Sequence, residues 1–229
     1  MAIVKSTLGK LSGKLGNLVL YEGRDGETLC RSESVGPRRQ TERQKRHSEA
    51  FGALMRAGRF LMPVVRLGFP GEPHFPAGVP GFVRANVSTA VTVAKIKPDK
   101  EVSARKRAPQ EFRGVIDFSR LQVSAGSLGV PEGVTAEVDA EARTVRFVRR
   151  EMDLESPCRF RDDELYGVVV SAVERPRCRV FPLGVRGAAD DRSVKITGEH
   201  FRLERSAVYV FARSADGTKA SPSVCLLCR

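Results

Sequence analysis

The second half of the chain is a series of short runs in which apolar and polar residues alternate. In order, the runs are VIDFSRLQVS, GVTAEVD, TVRFVRR, YGVVVSAVE, CRVFPL, SVKITG, AVYVFAR and SVCLLC. Alternation with a period of two is typical of β-strands, and clusters of turn residues separate the runs. The spacing predicts an antiparallel β-sandwich of about seven strands over residues 115–229, of the immunoglobulin-like or fibronectin-type-III-like class.

The last two runs give the clearest local prediction. Asp216-Gly217 lies between them and favours a hairpin turn, because glycine adopts a positive φ at little cost. Successive side chains of a strand point to opposite sides, so AVYVFAR should divide its residues between two faces. One face is expected to hold Val208, Val210 and Ala212, and the other Tyr209 and Phe211.

Glycines and lysines recur near the start of the chain. The stretch GKLSGKLGNLVLYE, residues 9–22, has the composition of a phosphate-binding loop but not the spacing G-x-x-x-x-G-K-[ST]. Only three residues separate Gly9 from Gly13, and Leu15 follows Lys14. We therefore predict a turn-rich entry into a β-hairpin, with NLVLYE and ETLCRS as strands on either side of an Asp-Gly turn.

A change to helical periodicity follows residue 40. Apolar residues recur at spacings of three and four, which places them on one face of a helix. These residues are Phe51, Leu54, Met55, Gly58, Leu61, Met62 and Val65. Thr41 and Gln44 have the form of a capping box, so the helix is expected to start at 42 and to yield at Pro63.

Proline and glycine interrupt the chain after this helix. Residues 68–81 contain eight Pro or Gly in fourteen positions, which predicts a loop and excludes both helix and central strand. A weaker helical run follows over residues 82–93, where valines and threonines leave strand as an alternative. A basic connection comes next. We place the domain boundary between a hairpin-and-helix region, residues 1–114, and the sandwich, residues 115–229.

The excess of positive charge lies in the first half of the chain. The formal net charge is +12; residues 1–110 hold 20 Lys and Arg against 9 Asp and Glu, whereas the remainder holds 19 against 18. Such a region indicates nucleic acid or an acidic protein as partner, with a solvated surface as the plainer alternative. The candidate contact residues are Lys10, Lys14, Arg38, Arg39, Arg43, Lys45, Arg46, Lys95, Lys97, Arg105, Lys106 and Arg107.

No set of residues indicates catalysis, metal binding or a cofactor. Cys225 and Cys228 have CxxC spacing, but a zinc site needs a second ligand pair, and the three histidines lie far apart. Acidic pairs in RFRDDELY and GAADDRS adjoin arginines between strands, where carboxylates are ordinarily solvated. We therefore expect no catalytic residue, no metal and no cofactor, and hence no enzymatic activity.

Targeting signals are also lacking in the sequence. The start MAIVKSTLGK has no apolar run of the kind found in a signal peptide, and nowhere do 18 apolar residues follow one another. Five scattered cysteines do not form the even framework of a small secreted domain. We expect cytoplasmic synthesis, reduced thiols and no membrane span.

Four segments carry a family resemblance when taken in order. They are LSGKLGNLVLYEGRDGETLCRS, QTERQKRHSEAFGALMRAGRFLMPVVRLGF, VIDFSRLQVSAGSLGVPEGV and AVYVFARSADGTKASPSVCLL. The chain resembles an uncharacterised Bacteroidota family known only as a domain of unknown function. Its G-K-x-G-N-x-V hairpin is matched by Gly13, Lys14, Gly16, Asn17 and Val19, and its S-x-G-x-L segment by Ser124, Gly126 and Leu128. The resemblance implies an order of elements and no reaction.

A shorter likeness concerns the start of the helix. The block TERQKRHSEAF is similar to a T-x-x-Q-x-x-R-x-x-F pattern of small structural proteins encoded in phage and phage-like regions. This likeness implies a role in a particle.

Two functional hypotheses follow. The first is a non-enzymatic structural protein that assembles through contacts with itself or a neighbouring subunit, in a virion, tail or filament. The alternative is a nucleic-acid-binding protein that contacts the phosphate backbone through its basic N-terminal half. The identity of the partner, the symmetry of any oligomer and the face of the sandwich that is used stay open.

Overall fold

The computed structural model describes residues 2–3, 11–33, 40–96, 111–150, 158–188, 191–198 and 201–228. The chain divides into two compact units, Met1–Thr41 and Glu42–Arg229, here called the N-terminal unit and the C-terminal unit. The fold is mainly β with some α, as the sequence predicts, and the described residues include three α-helices.

The N-terminal unit contains a four-stranded antiparallel sheet. Its strands are β1 (Ala2–Ile3), β2 (Gly13–Leu15), β3 (Leu18–Glu22) and β4 (Thr28–Ser32). They lie in the order β1-β4-β3-β2.

Turns that contain glycine join β2 to β3 and β3 to β4. Gly16-Asn17 connects β2 to β3, and Gly16 has a φ of 60°, which suits the first central position of a type II′ turn. Gly26 has a φ of 76° in the loop between β3 and β4. Gly13 and Lys14 pair with β3 as strand residues. The prediction of a hairpin at this glycine-rich stretch is therefore confirmed.

In its described residues, the C-terminal unit begins with three α-helices and a two-stranded sheet and continues with seven strands. The first group is α1 (Glu42–Phe60), α2 (Met62–Gly68), α3 (Gly78–Asn86), β5 (Val91–Lys95) and β6 (Phe112–Ile116). The second group is β7 (Val134–Asp139), β8 (Thr144–Arg149), β9 (Glu164–Ser171), β10 (Cys178–Val185), β11 (Arg192–Lys195), β12 (Ser206–Arg213) and β13 (Val224–Cys228).

The second group forms a two-layer β-sandwich. One sheet has the order β10-β9-β12-β13 and the other β11-β8-β7, with antiparallel pairing throughout. Val145 and Phe147 of the smaller sheet share a hydrophobic core with Val169, Val208 and Val210 of the larger sheet. The predicted antiparallel β-sandwich is confirmed, with three strands in one sheet and four in the other. The immunoglobulin-like or fibronectin-type-III-like class stays a prediction.

A layer of helices covers the outer face of the larger sheet. Leu54, Leu61 and Phe82 of the helices share a second core with Tyr209 and Phe211 of β12. Strand β12 is therefore apolar on both faces, and the predicted division of its side chains is confirmed. The sandwich core holds Val208, Val210 and Ala212, and the helical core holds Tyr209 and Phe211.

This packing divides the chain at a different place from the sequence prediction. The predicted boundary between residues 114 and 115 falls inside β6, whereas the structure separates the units at Thr41 and Glu42. The reason is that α1 to α3 bury their apolar faces on strands that occur much later in the chain. Periodicity shows that a helix has an apolar face, but it does not show which strands cover that face.

The predicted helix start at 42 and its interruption at proline are confirmed. Helix α1 ends at Phe60, and Pro63 lies in the first turn of α2. Proline lacks an amide hydrogen and its ring collides with the carbonyl four residues earlier, here that of Arg59. The helix therefore breaks at Leu61, and a new one begins.

The predicted loop over residues 68–81 is too long at both ends. Gly68 is the last residue of α2, and α3 starts at Gly78. Pro80 does not prevent this start, because the amides of the first helical turn have no partner within a helix. The next segment, residues 82–93, could be helix or strand by its sequence. It is helical as far as Asn86 and a strand from Val91, so each prediction is correct for a part of it.

The S-x-G-x-L segment is hydrogen-bonded to both the helical layer and the last hairpin. The buried Ser124 hydroxyl lies 3.2 Å from the carbonyl oxygen of Gly68 and 2.5 Å from that of Ser221. Leu128 donates its amide hydrogen to the carbonyl oxygen of Ala220 over 3.0 Å. The segment thus joins the end of α2 to the residues that precede β13.

Gly126 stands in the same segment, where no side chain fits. A Cβ atom there would lie 2.1 Å from Glu72 Oε1 and 2.3 Å from the carbonyl oxygen of Ala220. The Glu72 carboxylate accepts hydrogen bonds from the amides of Ser127 and Ala220, each at 3.0 Å. The motif residues are therefore explained by the fold alone.

Asp216 stabilises the turn between β12 and β13. Its carboxylate accepts hydrogen bonds from the Ser214 hydroxyl at 2.5 Å and from the Thr218 amide at 3.1 Å. These bonds, with that from the Ser214 side chain foremost, lower the pKa of Asp216 from 3.8 to about 2. Hydrogen bonds to the ionised form favour that form.

We expect this turn to respond to acid. Because the pKa of Asp216 is lower in the folded chain, its contribution to stability is complete above about pH 4 and is lost as the pH falls through about 2. A titration of the Asp216 carboxyl followed by NMR should give a midpoint near 2, and Ser214→Ala should raise that midpoint. A midpoint near 3.8 in the unmodified chain would contradict the assignment.

Candidate interaction surface

The structure describes five of the twelve candidate cationic residues. Those outside the described residues are Lys10, Arg38, Arg39, Lys97, Arg105, Lys106 and Arg107. Of the described five, Lys14 belongs to the N-terminal unit, and Arg43, Lys45, Arg46 and Lys95 belong to the C-terminal unit.

Three of these five cations already have carboxylate partners. Lys14 Nζ lies 2.7 Å from Glu33 Oε2, and Lys45 Nζ lies 2.9 Å from Glu111 Oε2. Arg46 Nη2 lies 2.9 Å from Glu42 Oε1, one helical turn earlier. A phosphate group would have to replace these carboxylates, so its net gain would be smaller than at a free cation.

The position of β6 explains part of this pairing. Strand β6 contacts α1, and the guanidinium carbon of Arg46 lies 5.2 Å from the ring centre of Phe112. The first turns of α1 therefore use Lys45 and Arg46 to hold the start of β6. Among the described residues, Arg43 and Lys95 have no carboxylate partner, and both are exposed. The described cations favour an internal role over a phosphate-binding groove.

A different surface stands out in the N-terminal sheet. Residues that pair directly across antiparallel strands share a face, and Leu15 pairs with Leu18 while Leu20 pairs with Cys30. We call this set the leucine face: Leu15, Leu18, Leu20 and Cys30. Leu15 is 68% exposed and Leu18 is 44% exposed. Glu22, at the end of β3, is the one charged described residue whose position lies on this side.

The opposite side of the sheet combines apolar and cationic residues. It carries Ile3, Lys14, Val19, Tyr21, Leu29 and Arg31. The Arg31 guanidinium carbon lies 5.7 Å from the centre of the Tyr21 ring, a cation–π arrangement, and Ile3 is 58% exposed. Both sides of the sheet are thus partly apolar.

The N-terminal unit has little core of its own. Among the residues of this unit whose side chains are described, only Thr28 is buried. Antiparallel sheets normally cover one face with a core, and large exposed apolar groups mark interaction sites. The leucine face is therefore the best candidate for a functional surface in the described structure.

Sequence reasoning missed this surface, although a signal was present. The run Leu18, Val19, Leu20, Tyr21 is apolar at successive positions of a short strand. Since successive side chains point to opposite sides, such a run makes both faces apolar. The run was interpreted only as one strand of a hairpin, and its two apolar faces were not considered.

Two grooves of the described surface contain no acid–base pair in their linings. One groove of about 480 Å³ runs along a single face of α1, and another of about 250 Å³ lies near the end of α1 and the start of β10. The first is lined by Arg43, Gln44, His47, Ser48 and Phe51. The second is lined by Phe60, Arg177, Cys178, Arg179, Thr197, Gly198 and Phe201. Neither set contains a carboxylate.

Metal ligands do not converge in the described part of the chain either. Within it, no three His, Cys, Asp or Glu residues are placed to hold an ion together. Cys225 and Cys228 are free thiols in β13, and burial raises the pKa of both. Within the same ranges, no helix has the length and apolar character needed to cross a bilayer.

Comparison with known proteins assigns the chain to no family. No protein-family model matches it, and no curated protein matches it. The resemblance to the Bacteroidota family and the likeness to phage-encoded structural proteins stay predictions.

Proposed function

We propose that this chain is a non-enzymatic assembly protein, and that its leucine face packs against the same face of a second copy. The observation that carries the proposal is the exposure of Leu15 and Leu18, which stand directly opposite each other in a sheet with almost no core. Burying a leucine contributes about 1.5 to 3 kcal/mol relative to leaving it exposed. A covered leucine face would supply the core that this sheet lacks.

Charge supports a second copy as the occupant. The chain carries a net charge of +12, most of it in the first half, so the basic surfaces of two copies repel each other. The leucine face contains no lysine or arginine among its described residues, because Lys14 and Arg31 lie on the opposite side. Two such faces can approach without opposing cations and can stack as sheets do, about 10 Å apart.

The size of the sheet supports a repeated assembly. Its four strands have two, three, five and five residues. At about 3.4 Å per residue and about 4.8 Å between strands they cover roughly 245 Å². This area is well below the roughly 800 Å² that each partner buries in a standard stable complex. A single contact is therefore weak, and repetition in a particle, tail or filament would supply the missing affinity.

Sedimentation velocity tests the proposal. The unmodified chain should show a weight-average mass that rises above 25.1 kDa as its concentration increases. The double variant Leu15→Lys with Leu18→Lys should associate less at every concentration, because it places ammonium groups on both sides of the contact. Both positions are exposed, so we expect the fold to tolerate the change.

Val115→Lys is the matched control. Val115 is an aliphatic strand residue of the C-terminal unit with 56% exposure, and it is not on the leucine face. We expect this variant to associate like the unmodified chain. Equal association of the double variant and the unmodified chain would overturn the proposed contact.

A further inference from the structure

Strand β13 is an edge strand without charged residues. It closes the larger sheet of the sandwich and pairs with β12; no other described strand pairs with it. Its sequence, VCLLC, contains no charge, no proline and no glycine. The first four residues are half-buried and the last is exposed. An edge of this kind is a template for adding another strand.

The other three edges of the sandwich carry features that block strand addition. Strand β10 has an exposed proline, Pro182, and an irregular register near Gly184, whose φ is 102°. Strand β11 exposes Arg192 and Lys195, and β7 exposes acidic residues at two of its six positions. Prolines, bulges and charges of this kind prevent edge-to-edge association. Strand β13 lacks the charges and the proline.

We infer that β13 pairs antiparallel with β13 of a second copy, which joins two larger sheets into one. This inference rests on the proposed assembly role and adds a second contact to it. In an antiparallel pair of identical strands, the residues of one strand lie opposite residues of the same strand in the other copy. Strands β11 and β7 would bring like charges together in such a pair, whereas β13 would not.

A bulge limits the length of this contact. The register between β12 and β13 shifts so that Cys225 pairs with Tyr209 and Leu227 with Val208, which leaves Leu226 as the extra residue. Only a few residue pairs can therefore form between copies. The new strand would also cover Val224, Leu226 and Leu227, which are half-buried against the sandwich core.

Two separate contacts have a geometric consequence. A single contact of one face with its own copy closes at a dimer, whereas two different contacts of this kind on one chain can join more than two copies. The leucine face and β13 belong to different units of the chain. Copies joined alternately through the two surfaces would form an assembly of more than two chains.

Four proteins test this inference by sedimentation velocity over the same concentrations. They are the unmodified chain, Cys228→Lys, the Leu15→Lys and Leu18→Lys double variant, and the combination of all three changes. Cys228 is exposed, so a lysine there should leave the fold intact while placing a cation on the edge. Ser193→Lys, at an exposed position of β11, is the control and should behave like the unmodified chain.

The expected pattern separates the two contacts. The unmodified chain should grow beyond two copies, each of the two interface variants should stop at two, and the combination should stay at 25.1 kDa. Cys228→Lys should raise the concentration needed for β13 pairing about tenfold or more. Hydrogen exchange of the β13 amides should also slow as the unmodified chain is concentrated.

Other outcomes overturn one proposal without the other. If Cys228→Lys associates like the unmodified chain, or the β13 amides exchange at the same rate at every concentration, the β13 contact is overturned. If only the leucine variant associates like the unmodified chain, the leucine contact is overturned and the β13 contact stands. A monomer at all concentrations in the unmodified chain overturns both.

Discussion

Asp163→Asn is expected to lower the free energy of unfolding by about 3 to 5 kcal/mol, because it leaves a buried guanidinium without its counter-charge. The side chains of Asp163 and Arg186 are 1% and 0% exposed, and their Oδ2 and Nε atoms lie 3.3 Å apart. The Arg186 guanidinium also donates a hydrogen bond to the carbonyl oxygen of Gly129 at 2.7 Å. This arginine, which follows β10, is therefore hydrogen-bonded to the loop before β7.

Burial and the surrounding groups act on the pKa of the Asp163 carboxyl in opposite directions. Burial raises its pKa, while the amide of Phe160 and the charge of Arg186 act in the opposite direction. The amide of Phe160 donates to Asp163 Oδ2 at 3.1 Å. Asparagine retains the shape and can still accept this hydrogen bond, so the variant removes chiefly the negative charge.

Denaturant unfolding measures the loss. Asp191→Asn is the matched control, because Asp191 pairs with Arg146 at 2.8 Å on the surface, where both side chains are about half exposed. We expect the control to lose less than about 1 kcal/mol. Adding Arg186→Met to Asp163→Asn should restore part of the stability by removing the unpaired charge. Equal losses of unfolding free energy in Asp163→Asn and Asp191→Asn would show that the buried pair contributes no more to stability than the exposed pair.

Replacement of two helical glycines by alanine should change the stability of the fold in opposite directions. Alanine normally stabilises a helix by about 0.5 to 1 kcal/mol relative to glycine, because it restricts the unfolded chain and costs no side-chain entropy. At Gly52 in α1, a Cβ atom would meet only the end of the Arg56 side chain, at 3.6 Å. We expect Gly52→Ala to raise stability by that amount.

Gly68→Ala should instead lower stability by about 2 to 3 kcal/mol. A Cβ atom at Gly68 would lie 2.4 Å from the carbonyl oxygen of Val123 and 2.8 Å from the Cβ of Ser124. The backbone must move apart, which weakens the hydrogen bond from the amide of Ala125 to the carbonyl of Gly68, now 3.1 Å. Thermal and denaturant unfolding of both variants checks the signs, and a gain in stability at Gly68 would contradict this close packing.

Local patterns were sufficient for the elements of the sandwich. The alternation of AVYVFAR located β12 and divided its side chains correctly between two faces. The Asp216-Gly217 pair located the last hairpin, and Gly217 has the positive φ, 71°, that such a turn requires. These features depend on residues close together in the chain, so the sequence shows them directly.

The helical layer could not be placed from the sequence, because its contacts are distant in the chain. Leu54 and Phe82 share a core with Tyr209, and no periodicity in residues 42–86 indicates that partner. The consecutive apolar residues of β12 were the available signal, since a strand that is apolar on both sides must be covered on both. The contacts of these helices place them in the C-terminal unit, whereas the predicted boundary lies between residues 114 and 115.

The candidate surface shows the same limit. Charge composition pointed to the lysines and arginines of the first half, but the carboxylate of Glu111 that pairs with Lys45 comes from a distant part of the chain. Long-range pairing of this kind changes what a cation can bind, and composition does not show it. The leucine face, by contrast, follows from strand register and turn geometry, which fix the opposition of Leu15 and Leu18.

The mass of the purified chain as a function of concentration tests the proposed assembly most directly. Light scattering combined with electron microscopy of the same samples measures both the number of copies and their arrangement. We predict masses that increase through multiples of 25.1 kDa and extended assemblies at high concentration. A constant mass of 25.1 kDa, with single particles at every concentration, would contradict the assembly role.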